Sequence, residues 1–428
     1  MWLPSFKRIG LAPDNNIGHL SLVLAGVRNK QLKNSQQKQS TMQLNHLPKA
    51  LCIALVLAFG GSLASGGPPP SRNWVSHPAV VQVDGQHLDL YAIGDVHADA
   101  DRLLGVLVAL NAIRPETPTD MDNTKWKMAP RSILVVTGDM IDKGPRPGGS
   151  SLRVISLLRA LQDSGPDVNS QVILLMGNHE AEFLAKWDGN KTDEFRRELE
   201  VKESELKRDG KVEEAKAFNP QNVANCQGDL GQFLCNLPIA AKVKDWFFSH
   251  AGNTNGRTIA ALSADIEAGF ASKGFATPEL IGEDSILEAR LNSKGCGRKP
   301  WFYDCGRQTD AEFVLRRNAT ALGVNHIVQG HQPGEVKFND GVKREEGAVF
   351  QRYGLLFLID TGMSRGIEGN EDGKKSVGGG LSIIRNPVDE NVTLLCAKSD
   401  GKLDYDSSRW TGLWSSTEKQ PIAARQCR

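Results

Sequence analysis

The chain has 428 residues, a formal net charge of +1, 24% charged residues and 40% hydrophobic ones. Such a chain can bury a large core, and the near-zero charge gives no hint of a nucleic-acid partner. Length alone allows two or three domains, and no internal repeat is evident.

The N-terminus reads as targeting sequence. Ala50 to Phe59 is an apolar run preceded by Lys49 and followed by Gly60-Gly61-Ser62-Leu63-Ala64-Ser65, the pattern of a signal-peptide core with a small-residue cleavage site. The run is short for a membrane span. Met42 would give it a conventional start, making residues 1–41 an upstream extension and 42–65 the signal peptide. A retained membrane anchor and an organelle-import segment are the alternatives. Removing residues 1–65 takes away seven Lys/Arg and one Asp, leaving a formal charge of about −5. Residues 66–75, with three consecutive prolines, read as a linker. Residues 76–400 read as one catalytic domain and 401–428 as a tail packed on its surface.

Five buried-strand patterns follow in order: 88–93, 133–136, 172–175, 246–248 and 327–328. Each leads into a short glycine-flanked motif: Gly94-Asp95-Val96-His97, Gly138-Asp139-Met140-Ile141-Asp142, Gly177-Asn178-His179-Glu180, Ser249-His250-Ala251-Gly252 and Gly330-His331. Glycine lets the backbone turn at the strand end, and ligands gather beyond the carboxyl ends of strands in α/β sheets. Asp99 can N-cap a helix carrying Leu103, Leu104, Leu107, Val108 and Leu110, and a second helix starts near Ser151. Strand, motif and helix thus alternate, which predicts βαβ units in a layered α/β core. The spread of motifs from Gly94 to His331 argues that one domain fills most of the chain. The charged stretch Lys191 to Lys216 reads as a solvated helix or a hairpin broken at Gly210. A part in substrate recognition is the alternative, because the stretch directly follows the third motif. Residues 366–380 read as a loop.

A single Asp or His beside a glycine is ordinarily a turn or cap residue. The ordered set resembles the metallophosphoesterases, specifically the phosphoprotein phosphatase branch, and within it the Shewanella-like phosphatases. Asp101-Arg102-Leu103-Leu104 and Asp360-Thr361-Gly362-Met363-Ser364 add to that resemblance, which covers roughly Val80 to Asn386. It implies a calcineurin-like four-layer α/β/β/α sandwich and two divalent metal ions, with Mn, Fe and Zn all suited to Asp, Asn and His ligands. Asp95 and His97 would bind the first ion, Asp139 would bridge both, and Asn178, His250 and His331 would bind the second. His179 would be the general acid, oriented by Asp142, which would keep it protonated near neutral pH. His326 reads as a packing residue at a strand start, and Glu180 as a local hydrogen-bonding partner.

Three departures from the family pattern stand out, the first a constraint on the backbone and the other two bearing on substrate binding. Ala98 stands where glycine is usual. Lys143 replaces an arginine, exchanging a planar fork for a point charge, and Arg146 is a possible substitute. The later phosphate-binding arginine has no clear counterpart, with Arg298 and Arg307 as candidates. The implied substrate is a phosphorylated protein or peptide, with phosphotyrosine plausible and phosphoserine or phosphothreonine open. A nucleotide or small-molecule phosphoesterase and a catalytically weak, metal-stabilised binding protein are the alternatives. No nucleic-acid partner and no stable membrane insertion after signal cleavage are expected.

Cys52 lies in the apolar run, leaving Cys226, Cys235, Cys296, Cys305, Cys396 and Cys427. An even number in an exported chain suggests disulfides, with Cys226–Cys235, Cys296–Cys305 and Cys396–Cys427 the natural pairs and buried free thiols the alternative. Asn190, Asn318 and Asn391 begin glycosylation sequons, relevant only in a eukaryotic secretory pathway.

Overall fold

The computed structural model describes residues 72–85, 88–115, 126–291, 310–338, 340–367, 370, 376–385, 390–397, 411–415 and 424–427. Residues 1–71, Arg298, Arg307 and the Cys296–Cys305 pair lie outside them. Among the described residues, no helix is long and apolar enough to cross a membrane.

Two sheets carry the fold. One has six strands in the order Thr411–Ser415, Glu390–Cys396, Gly379–Arg385, Asp89–Ile93, Ser132–Val136, Gln171–Leu174. The other has seven, in the order Val80–Val83, Ala240–Val243, Trp246–Ser249, His326–Gln329, Leu356–Leu358, Ala348–Arg352, Ala424–Gln426. The strands leading to the first three motifs pair in parallel, as do those leading to the last two. Parallel neighbours need crossover connections. Helix Ala100–Ala109 lies in the first, helix Ser151–Ser164 in the second and helix Ala311–Leu322 in the third.

Local chemistry places these helices. The Asp99 carboxylate accepts the Arg102 amide at 3.3 Å, and the Ser150 hydroxyl accepts that of Arg153 at 3.0 Å, so each side chain satisfies an otherwise orphaned donor at its helix start. Leu103, Leu104 and Leu107 of the first helix, and Ile155, Leu158 and Leu161 of the second, are buried in one continuous core with the strand residues. The charged stretch is helix Asp193–Arg208, ended near Gly210 (φ +78°) and followed by the short helix Val212–Ala215.

The sheets meet across an aromatic clasp. His326, at the start of its strand, stacks on Trp246 with ring centroids 4.0 Å apart, both in the seven-stranded sheet. Glu390 of the six-stranded sheet accepts Trp246 Nε1–H at 2.8 Å and lies 3.2 Å from His326 Nε2. Trp414, from the same sheet as Glu390, stands edge-on to His326 at 4.8 Å. His326 therefore joins the sheets, far along its strand from the motif end.

The segment read as a surface tail instead completes both sheets. Thr411–Ser415 pairs with Glu390–Cys396 and Ala424–Gln426 with Ala348–Arg352. Disulfides join Cys226 to Cys235 and Cys396 to Cys427. The residue range read as a linker is not all free either: Trp74 meets Phe270 edge-on, and Arg72 donates to the carbonyls of Cys235 and Leu237. Asn318 is 1% exposed, so the folded protein closes that sequon to a glycan.

Candidate metal centre

Each motif begins where its strand stops. Asp95 follows Asp89–Ile93, Asp139 follows Ser132–Val136, Asn178 follows Gln171–Leu174, His250 follows Trp246–Ser249 and His331 follows His326–Gln329. His97, Ala98, Asp139, Asp142, Lys143 and His331 all hold positive φ, between +47° and +67°. Such backbone costs a non-glycine residue about 1–3 kcal/mol and concentrates at functional sites. Two neighbouring glycines admit the approach of these groups. A Cβ on Gly177 would collide with the Asp139 amide and carboxylate, and one on Gly330 would collide with the Asp95 carboxylate.

The second ligand set shows what the pocket demands. Asn178 Nδ2 donates to Glu288 Oε1 at 3.1 Å, which fixes the amide so that Oδ1 faces inward. His250 Nδ1 donates to the Thr137 carbonyl at 2.9 Å, and His331 Nε2 to the Glu288 carbonyl at 3.1 Å. These partners assign the tautomers, leaving His250 Nε2 and His331 Nδ1 with lone pairs. The three inward atoms crowd together: 2.9 Å from Asn178 Oδ1 to His250 Nε2, 3.1 Å from Asn178 Oδ1 to His331 Nδ1 and 3.1 Å between the two nitrogens. Three buried acceptors at such separations require positive charge among them. A divalent ion fits this amide and imidazole set.

The first set follows the same logic. His97 Nδ1 donates to the Ile141 carbonyl at 3.2 Å. Its Nε2 faces Asp139 Oδ2 at 3.6 Å and Asp95 Oδ2 at 4.0 Å. Asp139 Oδ1 lies 3.4 Å from His250 Nε2. One carboxylate oxygen of Asp139 thus faces each cluster, Oδ1 also accepting the His179 amide at 3.0 Å. Two groups, His97–Asp139–His179 and Asp95–Asp139–His250, bring donor atoms close enough to hold a metal.

The electrostatics agree. Burial raises Asp95 well above the usual carboxylate range, with Asp360 adding to the effect. Burial lowers His97 to about 3, helped by the charge of Lys143. Burial also lowers His331, helped by His250 and Arg290. Burial works against charge on His250 as well, but the Asp139 and Asp95 carboxylates overcome it and raise that imidazole to about 10.

The Asp142–His179 pair adjoins the ligands. His179 Nδ1 lies 3.2 Å from Asp142 Oδ2, and Asp142 Oδ1 accepts the Phe195 amide at 2.9 Å from the first turn of helix Asp193–Arg208. That helix therefore steadies the pair. Burial lowers His179 to about 4 and raises Asp142 to about 7. These directions run against an imidazolium held ready at neutral pH, because taking charge out of water outweighs the partner carboxylate. Glu180 accepts four backbone amides, those of Gly177 (2.8 Å), Asp139 (3.0 Å), Met140 (2.8 Å) and Ile141 (3.2 Å). It is the hinge pin of the Asp139 loop and faces no ligand cluster of its own.

Residues 88–335 match the calcineurin-like phosphoesterase family, more than half of the chain. The chain belongs to the calcineurin-like phosphoesterase family. It is 26% identical over 312 residues to an uncharacterised protein of Schizosaccharomyces pombe, covering 71% of this chain and 79% of that relative. Among solved structures it is similar to a cold-active protein-tyrosine phosphatase of a psychrophilic Shewanella species, with 20% identity, 79% and 82% of the two chains covered and a TM-score of 0.47. It is also similar to a protein serine/threonine phosphatase from Saccharomyces cerevisiae, with 17% identity, 76% and 85% covered and a TM-score of 0.46.

The charged residues around this calcineurin-like phosphoesterase centre sort differently from their sequence expectations. Lys143 is exposed, pairs with no described group, and its charge lowers both His97 and His179 beyond the effect of burial. Arg146 is ion-paired to Glu194 and 75% exposed. That partner lies in the first turn of helix Asp193–Arg208. Arg290, absent from the sequence candidates, is half-buried and close enough to help lower His331. It has no hydrogen bond or ion pair among the described residues. A lone arginine outside any periodic run carried no signal in the sequence; only its position beside His331 reveals it.

Proposed function

We propose that the protein is a metal-dependent phosphomonoesterase of the Shewanella-like phosphatase type, acting on phosphorylated protein or peptide in an exported compartment. The observation that carries this reading is the inward crowding of Asn178 Oδ1, His250 Nε2 and His331 Nδ1, with Asp139 shared between them and the Asp95–His97 cluster. Two divalent ions held there would supply Lewis-acid charge and lower the pKa of an attacking water. Lys143 and Arg290, neither with a side-chain partner among the described residues, would take the phosphate oxygens, Arg290 through its fork. His179 would protonate the leaving oxygen, its ring oriented by Asp142 at 3.2 Å. The two disulfides support an oxidising compartment, and the sequence of residues 42–65 supports export.

The test is phosphate release from phosphotyrosine, phosphoserine and nucleotide substrates, with added Mn²⁺ and with a chelator. The reading requires metal-dependent release from phosphopeptides that His179→Asn abolishes. Release from nucleotides alone would transfer the protein to small-molecule phosphoesterases, and no release with any metal would favour a binding protein.

A further inference from the structure

We infer that Glu288 is a positioning residue for the second metal ion, aligning Asn178 through its side chain and His331 through its backbone, with Lys191 balancing its charge. This rests on the two-metal reading above. Glu288 touches two ligands without occupying a place among the inward-facing atoms. Its Oε1 accepts Asn178 Nδ2 at 3.1 Å, and its carbonyl accepts His331 Nε2 at 3.1 Å. Both contacts decide which atom a ligand turns inward. An asparagine amide can present oxygen or nitrogen, and a carboxylate against Nδ2 selects oxygen. An imidazole binds a cation through whichever nitrogen lacks the proton, and a carbonyl against Nε2 keeps Nδ1 bare.

The segment that carries Glu288 is fastened beside both histidine ligands. The Ala251 amide, next to His250, donates to the Ile286 carbonyl at 2.9 Å. The Leu291 amide donates to Gln332 Oε1 at 3.0 Å, next to His331. The Ser285 hydroxyl accepts the Glu288 amide at 3.1 Å. Lys191 Nζ lies 2.9 Å from Glu288 Oε1 and also bonds Glu182, whose Oε2 is a second acceptor for Asn178 Nδ2 at 3.4 Å. The lysine bridges the two carboxylates that share one amide and offsets part of their mutual repulsion. Its side chain is half exposed, whereas those of Glu288 and Glu182 are 14% and 20% exposed.

The experiment is calorimetric titration of Mn²⁺ into the chelator-stripped full chain, comparing the wild type with Glu288→Ala and Glu288→Gln. Thermal melts of the same samples report folding. Outer partners of metal ligands are typically worth about 10- to 100-fold in affinity. We expect two binding steps in the wild type, one of them weakened about 10- to 100-fold in Glu288→Ala and the other unchanged. Glu288→Gln, which keeps an oxygen for Asn178 Nδ2, should fall between the two, and it carries the test if the alanine variant does not fold. Excess Mn²⁺ should restore turnover. Unchanged affinities for both ions in folded variants, with or without a lower melting temperature, would overturn the inference and leave the two-metal reading standing. Absence of binding in the wild type would overturn that reading itself.

Discussion

Glu180→Gln isolates the contribution of one buried carboxylate to the loop that carries the shared ligand. Oε2 accepts the amides of Gly177 and Asp139, and Oε1 accepts those of Met140 and Ile141. Glutamine has the same shape, but one of its two terminal atoms is an NH₂. Whichever way the amide turns, two backbone N–H groups face another donor. Glu180 is fully buried, so water cannot replace the lost acceptor. Each unsatisfied buried amide costs about 1–3 kcal/mol, which predicts about 2–6 kcal/mol of destabilisation. Urea unfolding of metal-stripped protein measures this directly. Because the Asp139 amide is one of the four, metal content should also fall below that of the wild type. A variant within about 0.5 kcal/mol of the wild type, with unchanged metal content, would refute the reasoning.

Other perturbations test separate links. Ala98 sits at φ +53°, so Ala98→Gly should stabilise the protein by about 0.5–1 kcal/mol in urea melts, since glycine adopts this backbone without a Cβ clash. Asp142 has its folded pKa raised from 3.8 to about 7, chiefly by burial. Its contribution to stability is therefore present at low pH and lost as pH rises through about 7. In metal-stripped protein, Asp142→Asn should gain stability relative to the wild type between about pH 4 and about pH 7, and a parallel pH profile would contradict the shift. Cys396→Ser opens a crosslink spanning 31 residues and should cost about 3–4 kcal/mol by chain entropy, read from urea midpoints under non-reducing conditions. Arg290→Ala should lower kcat/KM for a phosphopeptide by about 10- to 100-fold without altering metal content; an unchanged value would remove Arg290 from phosphate binding.

The residues that cluster at the centre were largely readable because each lies in a short motif at the end of an apolar strand, where local pattern and site position coincide. His97 and Asp139 needed no long-range knowledge to be suspected, only their order along the chain. Glu180 was equally readable as a hydrogen-bonding partner, from its place on the first turn of helix Asn178–Ala185. Three things escaped. Arg290 and Glu288 lie in an aperiodic segment whose meaning comes from hydrogen bonds to Ala251, Gln332 and Asn178, all distant along the chain. The strands Thr411–Ser415 and Ala424–Gln426 are short sheet members stabilised by partners rather than by their own pattern. The burial of the His179–Asp142 pair, which disfavours charge on both groups, only becomes visible once the strands are assembled.

The most direct test of the central claim is stepwise addition of Mn²⁺ to chelator-stripped protein while phosphate release from a phosphotyrosine peptide is followed. An Asp139 shared between two ions requires no release without metal and full activity only as the second equivalent binds. Full activity in the presence of chelator, or saturation at a single equivalent, would contradict it.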